Sequence, residues 1–100
     1  MAEEPVAVSD LEKLRERMSQ IDERLLDTLR ERIECGVEIA HHKRENNIPM
    51  MQPHRIGVAQ QRAAEYGQRH GINTDFLRQL YDLVISETCR VEDVVIGRSE

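Results

Sequence analysis

Residues 10–45 read DLEKLRERMSQIDERLLDTLRERIECGVEIAHHKRE. No proline interrupts this stretch, and its apolar residues recur every three or four positions, the spacing of one face of an α-helix. With azimuth measured from Leu25 at about 100° per residue, Leu11, Leu14, Met18, Ile21, Leu29, Gly36 and Ala40 fall within about 60° of it. Two cations interrupt this stripe. Arg32 and Lys43 lie within about 20° of Leu25, where burial costs on the order of several kcal/mol unless an anion meets them. Their axial separation is about 16 Å, so two long side chains leaning together would leave a gap for a small polyanion. The alternative is that both cations snorkel to water or pair with core carboxylates.

The length of the helix carries a second expectation. A helix over 10–45 spans about 54 Å, whereas a compact 100-residue domain has a gyration radius near 13 Å, to order of magnitude. Much of the stripe would stand in water in a single chain. The economical arrangement is a two-fold homodimer in which two such helices bury each other's seams. Arg15 then matters, because a helical chain puts it about 25 Å from Arg32, beyond the reach of one small ligand. If both serve one site, Arg15 comes from the partner chain; otherwise it is a solvated residue at the stripe's edge.

The rest of the chain is also expected to be helical. Ser9 or Asp10 can cap the first helix, with Glu12 and Glu16 near its positive end. Asn46-Asn47 and Pro49 stop it. Pro53 suits the first turn of a second helix over 53–69, with Ile56, Ala59, Ala63 and Tyr66 inward and Gly67 and Gly71 marking its end. Asn73 or Thr74 caps a third helix over 75–96, with Leu77, Leu80, Val84, Thr88, Val91 and Val95 on one face. The expected organisation is a tail at 1–9, one all-α domain at 10–96 and a short tail at 97–100. Aromatic residues make up only 3% of the chain, so its core must be aliphatic. The net charge of −5 and the lack of an uninterrupted basic run argue against nucleic acid as a partner. No apolar run is long enough for a membrane span and no signal-like segment opens the chain, so a cytoplasmic protein is expected. Cys35 and Cys89 lie singly within helical patterns and fit a reducing compartment as core residues rather than a disulfide pair. His41 and His42 point about 100° apart on a helix and do not converge on a metal; with His54 and His70 they read as surface or loop residues.

The pattern Leu14-Arg15, Ile21-Asp22, Leu25-Leu26, Arg32, Lys43, Pro49 and Arg55 resembles the helical (type II) chorismate mutases over about residues 10 to 95. The resemblance implies an intertwined dimer of three-helix subunits with two active sites shared between chains. It implies that Arg32, and Arg15 from the other subunit, bind substrate carboxylates. Lys43 would bind a carboxylate and the ether oxygen, and Arg55 would support the carboxylate cluster. Thr88 and Glu92 match a polar pair on the family's third helix, with Glu92 facing the ether oxygen. The reaction so implied is a Claisen rearrangement within one dicarboxylate substrate, which needs no nucleophile, metal or cofactor. What remains for the protein is to hold the reactive conformer and to stabilise charge developing on the ether oxygen.

One departure bears on the substrate. Where many members carry an Asp and a Glu against the ring hydroxyl, this chain has Gln52 and Ile56. The segment Met50-Met51-Gln52-Pro53 with Arg55, and the run Cys89-Arg90-Val91-Glu92-Asp93, look closest to the 4-amino-4-deoxychorismate mutases, which serve antibiotic pathways. Coulomb reasoning does not account for the exchange, since a ring ammonium would favour the acids, so this substrate assignment rests on the resemblance. The alternatives are chorismate itself, converted to prephenate, an isochorismate pyruvate lyase activity, or a non-catalytic helical dimer. Loss of a clamp residue would favour the last; Arg15, Arg32, Lys43 and Arg55 are all present.

Overall fold

A computed structural model describes residues 6–49 and 53–97. Three helices account for nearly all of them: α1, Val6–Glu45; α2, Pro53–His70; and α3, Thr74–Gly97. Gln52, with Met50 and Met51, lies outside the described residues. Among the described residues there is no strand, and no helix is long and apolar enough to cross a membrane. Helix α1 starts upstream of the expected cap. Ser9 and Asp10 lie within it, and Glu12 and Glu16 stand beyond its first turn.

The helix ends follow from local chemistry. At the end of α1, the Ile48 amide donates to the Lys43 carbonyl at 2.8 Å, and the Asn47 amide donates to that of Arg44 at 3.4 Å. This is a Schellman closure. It requires a left-handed residue after the helix, and Asn47 supplies it with a φ of 55°. Helix α2 ends in the same way, with the Ile72 amide donating to the Gly67 carbonyl at 3.0 Å and Gly71 at a φ of 70°. Asn73 then caps α3 by accepting the Phe76 amide on Oδ1 at 2.9 Å. Thr74 is the first residue of α3, so Asn73 is the cap of the expected pair. Gly67 is not a helix end but a packing position within α2. A Cβ there would lie 2.6 Å from the Ile72 carbonyl oxygen and 2.9 Å from Leu77 Cδ1.

The chain forms two compact units, one ending at Glu31 and the other beginning at Arg32. In the second unit α2 packs against α3. Small residues line what is buried there: Ala63 and Ala64 are buried, as is Gly67, and Ala40 of α1 is fully so. The side chains of Gln60 and Asp82 are hydrogen-bonded across the pair. Among the described residues no large side chain is fully buried. Several sequence expectations are corrected here. Tyr66 points outward, stacked on His70 at 4.2 Å between ring centroids, and Val95 and Cys35 are exposed rather than core.

Among its described residues, the first unit has no buried side chain. Leu14, Met18 and Leu26 are 58%, 59% and 65% exposed, and Leu11, Ile21 and Leu25 are exposed as well. The amphipathic stripe is therefore present in the helix while its apolar face is uncovered in a single chain, as the length argument anticipated.

Candidate active site

Arg32 opens the second unit and is half-buried. Its Nη1 donates to Thr88 Oγ1 at 2.9 Å, and its guanidinium carbon lies 5.6 Å from the centroid of the Tyr81 ring. These contacts hold the cation through a hydrogen bond on one side and the ring's negative face on the other. Thr88 is buried at 7% exposure, and its hydroxyl also donates to the Val84 carbonyl at 2.8 Å. One hydroxyl thus accepts from Arg32 and donates to its own helix, which fixes the side-chain rotamer.

One helical turn further along α3 stands Glu92, half-buried. Burial pushes its carboxyl above the usual carboxylate range. Lys43 pulls it back, neighbouring Asp93 raises it, and Arg32 lowers it. Both α1 cations therefore act on this carboxyl. Cys89 sits in the same field. Burial, Glu92 and Asp93 raise its thiol pKa against the opposing pull of Lys43 and Arg32, which favours the thiol over the thiolate. Gly36 of α1 lies against both polar residues of α3: a Cβ built on it would meet Thr88 Cγ2 at 2.5 Å and Glu92 Oε1 at 2.9 Å.

The structure thus brings together Arg32, Lys43, Thr88 and Glu92. Lys43 is half-buried in the last turn of α1. Ile56 is half-buried near the start of α2 and borders an open cleft of about 470 Å³ shared with Ile85, Cys89 and Asp93. Arg55 is exposed on the first turn of α2 and is not among the groups acting on Glu92. Arg15 is exposed in the first unit. A larger cleft of about 790 Å³, lined by Arg32, Ala59, Ala63, Leu77 and Tyr81, has the size of a small-molecule site. Among the described residues expected at the site, it touches Arg32 alone. The charged cluster rather than cleft volume therefore marks the candidate site. The sequence also allows Glu92 to be a surface acid paired with Arg90 or Arg98; Arg90 instead forks onto Glu87 at 2.7 and 2.8 Å, and Arg98 lies outside the described residues.

Sequence reasoning missed two contributors. Tyr81 stands two turns before Thr88 on α3, so a face-by-face reading could have found it. Gly36 was read only as a small member of the α1 stripe, and its closeness to α3 has no signal in one helix's periodicity.

A sequence model of the family described as chorismate mutase type II matches residues 14–93, most of the chain. The chain belongs to the type II chorismate mutase family. It is a chorismate-mutase-type isomerase. Among its relatives, the 4-amino-4-deoxychorismate mutase of Streptomyces venezuelae is 47% identical over 90% of this chain and 87% of its own. That of Streptomyces pristinaespiralis is 48% identical over 89% of this chain and 70% of its own. The bifunctional chorismate mutase/prephenate dehydratase of Escherichia coli is 28% identical over 83% of this chain but only 22% of its own.

Proposed function

We propose that the chain catalyses the Claisen rearrangement of 4-amino-4-deoxychorismate to 4-amino-4-deoxyprephenate, in a homodimer whose sites are shared between chains. The observation that carries this reading is the convergence of Arg32 and Lys43 on Thr88 and Glu92. It pairs cations for carboxylates with a half-buried acid able to face an ether oxygen. Arg32, with Arg15 from the partner, grips the substrate carboxylates through forked hydrogen bonds. Arg55 supports that grip at the mouth of the site. Thr88 orients Arg32, and Lys43 and Glu92 meet the breaking C–O bond. The uncovered stripe of the first unit supports the dimer, since burying apolar area yields about 25 cal/mol per Å². The free cysteines support a reducing, cytoplasmic setting.

The substrate reading rests on the two Streptomyces relatives together with Gln52 and Ile56. Neither of these side chains carries a charge to meet a ring hydroxyl. Chorismate should therefore be turned over with a kcat/KM about tenfold or more below that of its amino analogue, the worth of one or two lost polar contacts. Steady-state kinetics on both substrates tests this, and equal values would overturn the amino-substrate assignment while leaving the mutase reading intact. The Gln52→Asp/Ile56→Glu double variant should raise chorismate turnover.

The role of Glu92 makes a separate prediction. An ionised carboxylate cannot donate to the ether oxygen and repels its developing charge, whereas the protonated form donates. Because burial raises the Glu92 pKa, the competent form persists to higher pH than for an ordinary carboxyl, and kcat/KM falls as pH rises through that raised pKa. Glu92→Gln keeps a donor without a titrating proton, so it should retain activity and flatten the profile. A wild-type profile with no such limb would remove Glu92 from this role.

A further inference from the structure

We infer that Gly36 is a positioning residue, whose missing side chain lets Thr88 and Glu92 of α3 seat against α1 and so fixes where Arg32 and Glu92 are held. This rests on the proposed roles of those residues and adds what places them. The geometry is specific. A methyl group on Gly36 would lie 2.5 Å from Thr88 Cγ2 and 2.9 Å from Glu92 Oε1, both inside the contact distance of real side chains.

The two contacts differ in how they can yield. Glu92 is long, and its carboxyl can swing away, but into water and out of the field of Lys43 and Arg32. Thr88 cannot yield without loss. It is β-branched, and its hydroxyl is tied to the Val84 carbonyl at 2.8 Å and to Arg32 at 2.9 Å. Turning Cγ2 away from α1 turns Oγ1 with it and breaks both bonds. An alanine at position 36 would thus detach the Arg32 guanidinium from its anchor or push α1 from α3. Helix propensity works in the other direction, because alanine within a helix is favoured over glycine by about 1 kcal/mol. A glycine here is therefore explained by the contact and not by the helix.

Thr88→Ser removes Cγ2, the atom at 2.5 Å, and keeps the hydroxyl that accepts from Arg32. Gly36→Ala should lower kcat/KM on the order of 100-fold, chiefly in kcat, the scale of a misplaced catalytic group. Gly36→Ala/Thr88→Ser frees the Arg32 anchor but keeps the contact at Glu92 Oε1, so it should recover about tenfold of that loss while staying below the Thr88→Ser reference. Gly36→Ala/Thr88→Ala, which has the space but no hydroxyl, should not recover.

A second readout does not depend on turnover. The Glu92 carboxyl, followed by carbon NMR, faces Lys43 and Arg32 from α1 and lies beside Asp93 and Cys89 on α3. In Gly36→Ala, and equally in Gly36→Ala/Thr88→Ser, where the contact at Glu92 Oε1 persists, its pKa should fall back toward the ordinary carboxylate value as the group enters water. If the wild type rearranges neither chorismate nor its amino analogue, the function reading fails and this titration alone decides the role of Gly36. If Gly36→Ala does not fold, the double variant measured against Thr88→Ser decides it. An unchanged Glu92 titration in Gly36→Ala, wild-type activity in that variant, or a double variant no better than Gly36→Ala would each overturn the inference.

Discussion

Lys43→Ala should lower kcat by about 100- to 1,000-fold, the scale expected when one preorganised donor to a developing oxyanion is removed. The fold should survive this change. Lys43 is held in the last turn of α1 by its backbone, whose carbonyl accepts the Ile48 amide at 2.8 Å, and that bond does not involve the side chain. The expected stability loss is about 0.3–1 kcal/mol, from removing a cation beside the negative end of the helix dipole. A second signature separates a catalytic from a purely binding role. Lys43 lowers the Glu92 pKa against the raising effect of burial, so removing it leaves that pKa higher still. The alkaline limb of kcat/KM should therefore move to higher pH in Lys43→Ala while its plateau drops. Steady-state kinetics across pH would show both effects. A change confined to KM would mean that Lys43 binds the ground state and the transition state equally.

Much of the fold was legible because three local signals agreed: the 3.6-residue periodicity of 10–45, the asparagine pair at 46–47, and the Gly71 and Asn73 flanks of the second turn. Each is a property of a few adjacent residues, and Asn47 and Gly71 adopt the left-handed conformations such stops require. The start of α1 was less legible. Ser9 and Asp10 are good caps, but nothing in Val6-Ala7-Val8 breaks a helix. An exposed Ser or Asp inside one costs only about 0.5 kcal/mol, so the helix runs on to Val6. The inward placing of Tyr66 failed for a different reason. The buried positions of α2 are the small residues Ala63, Ala64 and Gly67, the last close against Ile72 and Leu77, and the large Tyr66 ring stays exposed.

Less of the candidate site than of the fold was legible. Periodicity placed Arg32 and Lys43 on one stripe of α1, but no property of that helix indicates that Thr88 and Glu92 approach them. That pairing came from family resemblance, and the Arg32–Thr88 bond and the field of both cations at Glu92 accord with it. The part played by Gly36 was invisible, since what matters is an atom the residue does not have. Gln52 lies outside the described residues, so its half of the ring-facing pair stands on sequence alone.

The arginines offer the sharpest test of a site shared between chains. With Arg15 and Arg32 gripping the substrate carboxylates as proposed, Arg15→Ala and Arg32→Ala should each lose on the order of 100-fold or more in kcat/KM, each having lost a forked contact. Mixing the two inactive variants should then restore activity. In a heterodimer, one site takes Arg32 from the first chain and Arg15 from the second, both intact, while the other site lacks both. With free exchange of equal amounts, half the dimers are mixed and each carries one good site, so recovery should reach about one quarter of the wild-type rate per chain. A site built within one chain gives no recovery at all, because every chain then lacks one of its own two arginines. The helical spacing of Arg15 and Arg32, about 25 Å, is why the first outcome is expected. Exchange must be shown independently, for example by mass spectrometry of differently tagged chains. Demonstrated exchange with no return of activity would place each active site within a single subunit.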